Sequence, residues 1–325
     1  QREHIGFVVF DTDINELREI QRANPFIKII QTSTKLTVGE YLKIDTHARG
    51  SWFPVNAILN SKSLTEGAGQ VRAISRLAFD TALRAGRMEP LHEAIQELYK
   101  VQDDEEEQAL RVIIVSSLAG GTGSGLILPA AMYIKHYLAT HFRQGANITR
   151  GFFILPEVFD EVIPGAAERN NLRSNAYATL RELDAFLMKS DATLPEEYKD
   201  SVRMEFPRVG SHGYEEYNDH IYDFCFLFDA QNADGGKLNS YKQYISHAAN
   251  CIYAQSIGPM NERSNSSEDN TIRRLCEEHG RNRYAGAGSS LLIYPFEDIK
   301  EYIGLDWTKQ GVSKQWMVFD NIYNG

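Results

Sequence analysis

Short, continuous apolar runs recur along the chain, and the first two stop abruptly at polar or glycine residues. Residues 5–10 are followed at once by Asp11, Thr12 and Asp13, and residues 111–116 run directly into a glycine-rich loop. Runs of this length without polar alternation are typical of strands that are buried on both faces of a sheet. Similar runs predict further strands at 148–155, 223–229 and 289–294.

Between these strands, apolar residues recur at helical spacing. In residues 70–83 the side chains of Val71, Ile74 and Leu77 fall on one helical face. The same spacing predicts helices at 14–22, 89–101, 126–138, 174–189 and 240–257. Strands that alternate with helices predict an α/β fold, in which a Rossmann-like, mostly parallel sheet carries helices on both faces. We expect a smaller C-terminal α/β part to follow.

Composition narrows the classes of partner. The chain has 325 residues, 42% of them hydrophobic, and a formal net charge of -10. An acidic chain without a basic patch argues against nucleic-acid and anionic-membrane partners, and the longest apolar run, 126–134, is too short to span a bilayer. The three cysteines, Cys225, Cys251 and Cys276, form no CxxC pair and no even disulfide framework. We therefore expect a cytoplasmic protein with no membrane partner and no nucleic-acid partner.

The loop at 119–125 carries the clearest chemistry in the sequence. Its glycines permit positive φ and let backbone N–H groups converge on an anion, while the predicted helix that follows points its positive end at the same place. The loop therefore predicts a phosphate site. A glycine-rich turn that only lets the helix pack closely on the strand is the competing interpretation. The residues assigned to phosphate binding are Ala119, Gly120, Gly121, Thr122, Gly123 and Ser124.

Two common phosphate-binding patterns do not fit this loop. The Walker pattern needs a lysine after its last glycine, but Leu126 follows Gly125. The dinucleotide pattern GxGxxG would begin at Gly121 and need a glycine where Leu126 stands. A dehydrogenase-like protein is therefore disfavoured, and retention of NAD during purification would be needed to support it.

The sequence GGTGSG at 120–125, set between a strand and a helix, resembles the signature of the tubulin/FtsZ superfamily. Residues 38–42 and 66–72 are more similar to the bacterial tubulin-like proteins than to true tubulins or FtsZ. The resemblance implies GTP or GDP and Mg²⁺ as ligands. It also implies GTP hydrolysis that is coupled to head-to-tail self-association into protofilaments.

The resemblance also assigns residues around the nucleotide. Asp11, Thr12 and Asp13 resemble the acidic loop near the phosphates, with Asp11 and Asp13 as the metal ligands. The loop that faces the γ-phosphate is matched by Gly67, Ala68, Gly69 and Gln70. The ribose and guanine sides are matched by Pro156, Glu168, Arg169, Asn175, Asp229 and Asn232. For Asp11, Asp13 and Asn232, ordinary turn chemistry is the competing interpretation, and for Glu168 and Arg169 it is a surface salt bridge.

In this superfamily, acidic residues after the central helix complete hydrolysis in the neighbouring subunit. The matching region, 258–270, offers Glu262, Glu268 and Asp269 as catalytic candidates, with a solvated polar loop as the competing interpretation. This acidic loop is indistinct, which favours the alternative function of a partner-recruiting module that binds nucleotide without turnover.

The resemblance implies three parts: a nucleotide-binding domain at 1–239, a central core helix at 240–257, and a reduced or truncated C-terminal domain at 258–325. The superfamily begins with a strand and a glycine-rich loop that residues 5–13 do not supply. We therefore expect either a preceding segment or a degenerate site.

Overall fold

The computed structural model describes residues 5–54, 56–64, 69–101, 110–142, 147–191, 193–218, 221–256, 274, 283–288 and 295–316. The chain divides into two compact units, Gln1–Gly288 and Ser289–Gly325. The first unit contains all the strands among the described residues. The described part of the second unit is helical.

A parallel sheet forms the centre of the first unit. Its four strands lie in the order β3-β4-β7-β8, and a separate parallel pair is formed by β1 and β2. Strands β5 and β6 form an antiparallel hairpin. The strands are β1 (Val8–Asp11), β2 (Lys28–Gln31), β3 (Arg111–Ser117), β4 (Ile148–Ile154), β5 (Met204–Pro207), β6 (Tyr214–Tyr217), β7 (Phe224–Phe228) and β8 (Tyr284–Gly286).

Helices separate most of the strands along the chain, as the apolar spacing predicts. The described helices are α1 (Ile14–Ala23), α2 (Val38–Ile44), α3 (Thr46–Ser51), α4 (Ala57–Asn60), α5 (Arg72–Arg84), α6 (Glu89–Val101), α7 (Gly121–His141), α8 (Ala166–Leu187), α9 (Glu196–Ser201), α10 (Tyr241–Ser256) and, in the second unit, α11 (Phe296–Gly311). The last helix leads into a π-helical turn, Val312–Trp316.

Strand β4 is buried on both faces, and the parallel sheet with its packed helices confirms the predicted α/β fold. Successive side chains of a strand point to opposite faces. Accordingly, Phe153 of β4 packs into a core shared with α5, α6, α7 and α8, whereas Phe152 and Ile154 pack into a second core with Tyr244 and Ala248 of α10. Because the side chains on both faces of such a strand are buried, the strand needs apolar residues at successive positions, which explains its continuous apolar run.

Several element boundaries differ from the prediction. Helix α7 begins at Gly121 rather than at Leu126, and α8 begins at Ala166 rather than at residue 174. The low helix propensity of glycine explains the first difference, because propensity favours a later start and tertiary packing overrides it. The predicted strand 289–294 lies outside the described residues. Strand β8, which pairs with β7, was not predicted.

Candidate functional site

The carboxyl ends of the parallel strands lie at one edge of the sheet. Ser117, the last residue of β3, pairs with Ile154, the last residue of β4, and Ile154 pairs with Phe228, the last residue of β7. The loops that follow these strands therefore start at the same level. Ligands of open α/β sheets bind at this edge. The candidate site is built here.

The amino terminus of α7 is open at the end of β3. Gly120 is the N-cap residue of this 21-residue helix and makes no side-chain capping hydrogen bond. The first backbone N–H groups of a helix have no partner within the helix, and they carry the positive end of its dipole. No atom of the described residues beyond the chain neighbours lies within 4 Å of a Cβ built on Gly120. The first turn of α7 can therefore accept an anion.

The other glycines of the loop serve close packing. A Cβ on Gly121 would lie 2.9 Å from the backbone of Gln70, and one on Gly125 would lie 2.8 Å from Cβ of Ser75. A Cβ on Gly123 would overlap with Ser116 Oγ and with the carbonyl oxygen of Ser117. Both interpretations of the loop are thus supported at different positions, because Gly120 is open while its neighbours are closely packed.

A second helix begins beside the first. The N-cap residue of α5, Val71, also makes no side-chain capping hydrogen bond. It is preceded by Gly69 and Gln70, whose φ angles of 51° and 63° lie in the left-handed region. Because Gly121 contacts Gln70, the amino termini of α5 and α7 lie side by side. Two positive helix ends, whose N-cap residues provide no side-chain cap, therefore lie side by side at this point.

Asp11 lies next to these helix ends. Its Oδ1 accepts hydrogen bonds from the backbone N–H groups of Thr12, at 2.5 Å, and Asp13, at 3.2 Å, and from the Thr122 hydroxyl at 3.5 Å. The Thr12 and Thr122 hydroxyl oxygens are 3.5 Å apart, and Thr12 is almost fully buried. The end of β1 thus contacts the first turn of α7.

Two predicted site residues have structural partners. Asp13 is the N-cap of α1, where its Oδ1 accepts from the N–H of Asn15 at 2.7 Å and of Glu16 at 3.4 Å. Ser124 is buried, and its hydroxyl donates to the carbonyl oxygen of Gly120. The Ser124 hydroxyl therefore faces its own helix.

Asn175 of α8 joins the loop that precedes α5 to the loop that precedes α7. Its buried amide Nδ2 donates to the carbonyl oxygen of Gln70 at 2.9 Å and to that of Ala119 at 3.2 Å. Pro156 starts a short 3-10 turn, Pro156–Phe159, after β4 and is buried. That turn packs against α8 and α10.

Glu168 and Arg169 lie in the first turn of α8. Glu168 is exposed, and its carboxylate folds back over Gly165, the N-cap residue of the same helix. Arg169 donates to the carbonyl oxygens of Ile163 at 2.8 Å and Pro164 at 3.0 Å. Both side chains are thus arranged around the loop that leads into α8.

The loop after β7 contains the residues that were predicted to contact the base. Asp229 is exposed, and its Oδ1 accepts from the N–H of Ala230 at 2.6 Å. The Oδ1 of Asn232 accepts from the N–H groups of Asp234 at 3.1 Å and Gly236 at 2.6 Å, which closes a turn. Asn232 therefore shapes this loop, as its turn chemistry predicts.

The remaining predicted residues lie outside the described part of the chain. They are Gly67, Ala68, Glu262, Glu268 and Asp269. Among the described residues, no group of three or more His, Cys, Asp or Glu side chains has an arrangement that could hold a metal ion. Likewise, within the described helices there is no segment long and apolar enough to cross a membrane.

The sequence did not reveal a buried ionic network at the carboxyl end of α5, the end opposite to the site. Arg84 of α5 forms an ion pair with Asp45 at 3.0 Å and donates to the Tyr214 hydroxyl at 3.1 Å, while Tyr41 donates to Asp45 at 3.1 Å. Tyr214 also donates to Asp45. The network joins α2, α5 and the β5–β6 hairpin. Its members are far apart in sequence. The only sequence signal that could have indicated the network is a single carboxylate or arginine within an otherwise apolar segment.

A second unpredicted contact joins the helices of the site. Arg72, at the start of α5, forms a bidentate ion pair with Glu182 of α8 at 2.5 and 2.6 Å, and its guanidinium also reaches the carbonyl oxygen of Ser124 at 3.4 Å. The first turns of α5 and α7 are thus both tied to α8.

Comparison with known proteins identifies the family of the chain. No curated protein matches the chain. The family model Tubulin_2, described as "Tubulin like", matches residues 1–313, which is nearly the whole chain. Together with the parallel sheet and the glycine-rich loop at the start of α7, this match shows that the chain belongs to the tubulin-like family.

Proposed function

We propose that this protein binds GTP and GDP, and that it hydrolyses GTP when it self-associates head to tail into protofilaments. The observation that carries the proposal is that the amino termini of α5 and α7 lie side by side next to the open space at Gly120, and that neither N-cap residue makes a side-chain capping hydrogen bond. Such an arrangement favours a polyphosphate, because both helix dipoles and several N–H groups point at the same region. Members of the superfamily use this region in the same way.

In this proposal the phosphate chain lies against the first turn of α7. The backbone N–H groups of the glycine-rich loop hold it, and Thr122 adds a hydroxyl donor. Gly69 and Gln70, with Gly67 and Ala68, face the terminal phosphate. Ser124 acts through its hydrogen bond to Gly120, which fixes the first turn.

Magnesium fits the oxygen donors of Asp11 and Asp13. Hard cations of this kind prefer carboxylate, hydroxyl and phosphate oxygens. Asp11 is oriented by two backbone N–H groups and by Thr122, so its carboxylate is held beside the proposed phosphate position. Asp13 is engaged as the cap of α1, and we therefore assign the larger part of metal binding to Asp11. A bound Mg²⁺ would neutralise phosphate charge.

The nucleoside is proposed to lie toward the loops after β4 and β7. Asp229 is an exposed carboxylate at the end of β7, and a carboxylate suits the N–H donors of the guanine edge. Asn232 shapes the loop that carries it. The ribose side is assigned to residues at and before the start of α8, namely Pro156, Glu168 and Arg169.

For hydrolysis, an acidic side chain must orient the attacking water near the γ-phosphate. We assign this role to Glu262, Glu268 or Asp269 of the neighbouring subunit in the filament. The corresponding division of the chain is a nucleotide-binding part at 1–239, a core helix at 240–257 and a C-terminal part at 258–325.

The nucleotide site is tested by Gly120→Val. The backbone at Gly120 is extended, with φ −73° and ψ 167°, and its surroundings are open, so valine is tolerated by the fold. In the proposed site its side chain would occupy the phosphate position. We expect GTP and GDP to bind about a hundredfold more weakly in calorimetric titration, since two or more charge-assisted hydrogen bonds are lost.

The matched control is Gly50→Val. A Cβ on Gly50 also meets open space, but Gly50 belongs to α3 and not to the proposed phosphate loop. It should bind GTP as the unsubstituted chain does. Unchanged affinity in Gly120→Val, with the fold intact, would refute the assignment of this loop to phosphate.

Turnover and assembly are tested together by pelleting and phosphate release in the presence of GTP. Filaments that release phosphate support the proposed GTPase, and Asp269→Asn or Glu268→Gln should then slow the release without weakening nucleotide binding. Tight binding without phosphate release would instead support the alternative, a partner-recruiting module that does not hydrolyse GTP.

A further inference from the structure

We propose that Asn175 is a positioning residue, which fixes the spacing between the loop at Gly69 and Gln70 and the loop at Ala119 and Gly120. This inference rests on the proposed function, because it assigns both loops to one phosphate chain. It differs from the ribose contact that the sequence predicts for Asn175. The side-chain amide is directed at the loops themselves.

The geometry of the amide supports this role. An asparagine NH₂ group has two hydrogens, and Nδ2 of Asn175 lies 2.9 Å from the carbonyl oxygen of Gln70 and 3.2 Å from that of Ala119. One nitrogen therefore satisfies both carbonyl groups at the same time. Asn175 is only 9% exposed, so water does not readily replace it.

The bond to Gln70 matters because of the backbone conformation there. Gln70 has a φ angle of 63°, which side-chain-bearing residues seldom adopt, and Gly69 before it is also left-handed. A loop in this conformation persists only where its surroundings hold it. The Asn175 amide holds the Gln70 carbonyl oxygen, and this leaves the following N–H groups of α5 directed toward the proposed site.

Helix α8 provides a rigid base for this contact. It is 22 residues long, and two further contacts tie it to the same helices. Thr179, one turn after Asn175, donates to the carbonyl oxygen of Ser124 at 3.3 Å, and Glu182 pairs with Arg72. The position of Asn175 is thus set independently of the loops that it joins.

The first test uses the nucleotide-free protein. Asn175→Leu keeps a side chain of similar size but removes the donor, and Thr179→Val is a matched control on the same buried face of α8. We expect amide hydrogen exchange to become about tenfold faster around residues 69–73 and 119–123 in Asn175→Leu, as the loss of buried hydrogen bonds implies. Thr179→Val should leave exchange at 69–73 unchanged.

The second test compares GTP with GDP. If Gln70 faces the γ-phosphate, Asn175→Leu should weaken GTP binding about tenfold and GDP binding by less than about threefold. Equal weakening of both nucleotides with unchanged exchange would show a direct sugar contact and would overturn the positioning role. Unchanged exchange in both loops would also overturn it.

The two tests distinguish failure of the proposed function from failure of the positioning role of Asn175. If the unsubstituted chain binds neither nucleotide, the proposed function fails, while hydrogen exchange still decides whether Asn175 holds the two loops. If Asn175→Leu does not fold, Asn175→Ala replaces it, with faster exchange at 69–73 again expected and unchanged exchange again contradicting the inference.

Discussion

At the scale of single residues, the glycines of the loop meet two requirements, which are space for a ligand and close approach of the backbone. The sequence G-G-T-G-S-G does not show which glycine meets which requirement. Gly120 faces open space, where a Cβ would reduce the room for a ligand. Gly121, Gly123 and Gly125 instead permit the backbone of α7 to approach α5 and β3. Substitutions at neighbouring glycines should therefore fail for different reasons, one in binding and the others in folding.

The first prediction concerns stability at Gly121. In Gly121→Ala the added Cβ would lie 2.9 Å from backbone atoms of Gln70 and Val71, which cannot turn away as a side-chain end can. We expect the free energy of unfolding to fall by about 1–3 kcal/mol, as in other overpacked interiors. Urea unfolding measures this change. Gly120→Ala is the control and should retain the original stability, so equal stability of the two variants would contradict the prediction.

The second prediction concerns the metal. Asp11→Asn keeps an oxygen acceptor for the N–H groups of Thr12 and Asp13 but removes the carboxylate charge. We expect the part of the GTP affinity that depends on Mg²⁺ to disappear. Titrations with GTP in Mg²⁺ and in EDTA would give equal affinities for this variant.

The control is Asp13→Asn, because asparagine is as good an N-cap for α1 as aspartate. It should keep most of the Mg²⁺ dependence. A full Mg²⁺ effect in Asp11→Asn would exclude Asp11 as the principal ligand.

At the scale of elements, buried charges on α5 connect the site helices to the β5–β6 hairpin. Asp80 is fully buried and pairs with Arg76 at 3.1 Å, and Arg76 also donates to the carbonyl oxygen of Glu205 in β5 at 2.7 Å. Arg84, one turn further on, carries the network with Asp45. Because a buried charge is costly, protonation of these groups is coupled to folding.

The third prediction is a pH dependence that Asp80 causes. Burial raises the pKa of the Asp80 carboxyl to about 7, against the opposing influence of Arg76. An unfolded chain loses this proton near pH ~4. Between pH ~4 and 7 the native chain therefore binds a proton that the unfolded chain has lost, and this contribution to stability is fully present below that window and lost as pH rises through it.

Asp80→Asn should remove this contribution, which amounts to at most about 4 kcal/mol for a shift of about three pKa units. Urea unfolding at a series of pH values from 4.5 to 8 should show a flatter profile than that of the unsubstituted chain.

Asp45 provides the contrast. Burial opposes its ionisation, but hydrogen bonds from Ala48 and Tyr214 and the charge of Arg84 keep the pKa of Asp45 below its ordinary value. Its stabilising contribution is lost on acidification instead, so Asp45→Asn should not flatten the profile between pH 4.5 and 7. If the free energy of unfolding of Asp80→Asn changes with pH as steeply as that of the unsubstituted chain, the pH dependence is not caused by Asp80.

At the scale of the whole molecule, membership of the tubulin-like family and the site at the sheet edge lead to the same expectation of nucleotide-dependent behaviour. A ligand that binds only the native state stabilises the entire cooperative unit. Stability therefore reports on the identity of the nucleotide even before turnover or assembly is measured.

The fourth prediction is a nucleotide-specific rise in stability. GTP at about 100 times its Kd should raise the free energy of unfolding by about 2.7 kcal/mol, which corresponds to an increase of about 5 °C in Tm. ATP at the same concentration should give no increase, and Gly120→Val should respond to neither nucleotide. Differential scanning calorimetry measures all three. An equal response to ATP and GTP would refute selectivity for guanine.

Local periodicity and local backbone chemistry were sufficient to predict the α/β class, the strands β1, β3, β4 and β7, and the glycine-rich loop at 119–125. The same patterns predicted α6 with its observed bounds and β3 to within one residue. They missed β2, β5, β6 and β8, which are only three or four residues long and whose pairing depends on distant partners.

The division of roles among the residues of the site depends on tertiary packing. The sequence grouped Gly120 with Gly121, and Asn175 with the ribose contacts, because residue type gives no direction in space. The packing of α7 against α5 separates the open glycine from the closely packed ones, and the position of α8 directs the Asn175 amide at two carbonyl groups. These contacts join residues fifty or more positions apart, and no local pattern along the chain encodes them.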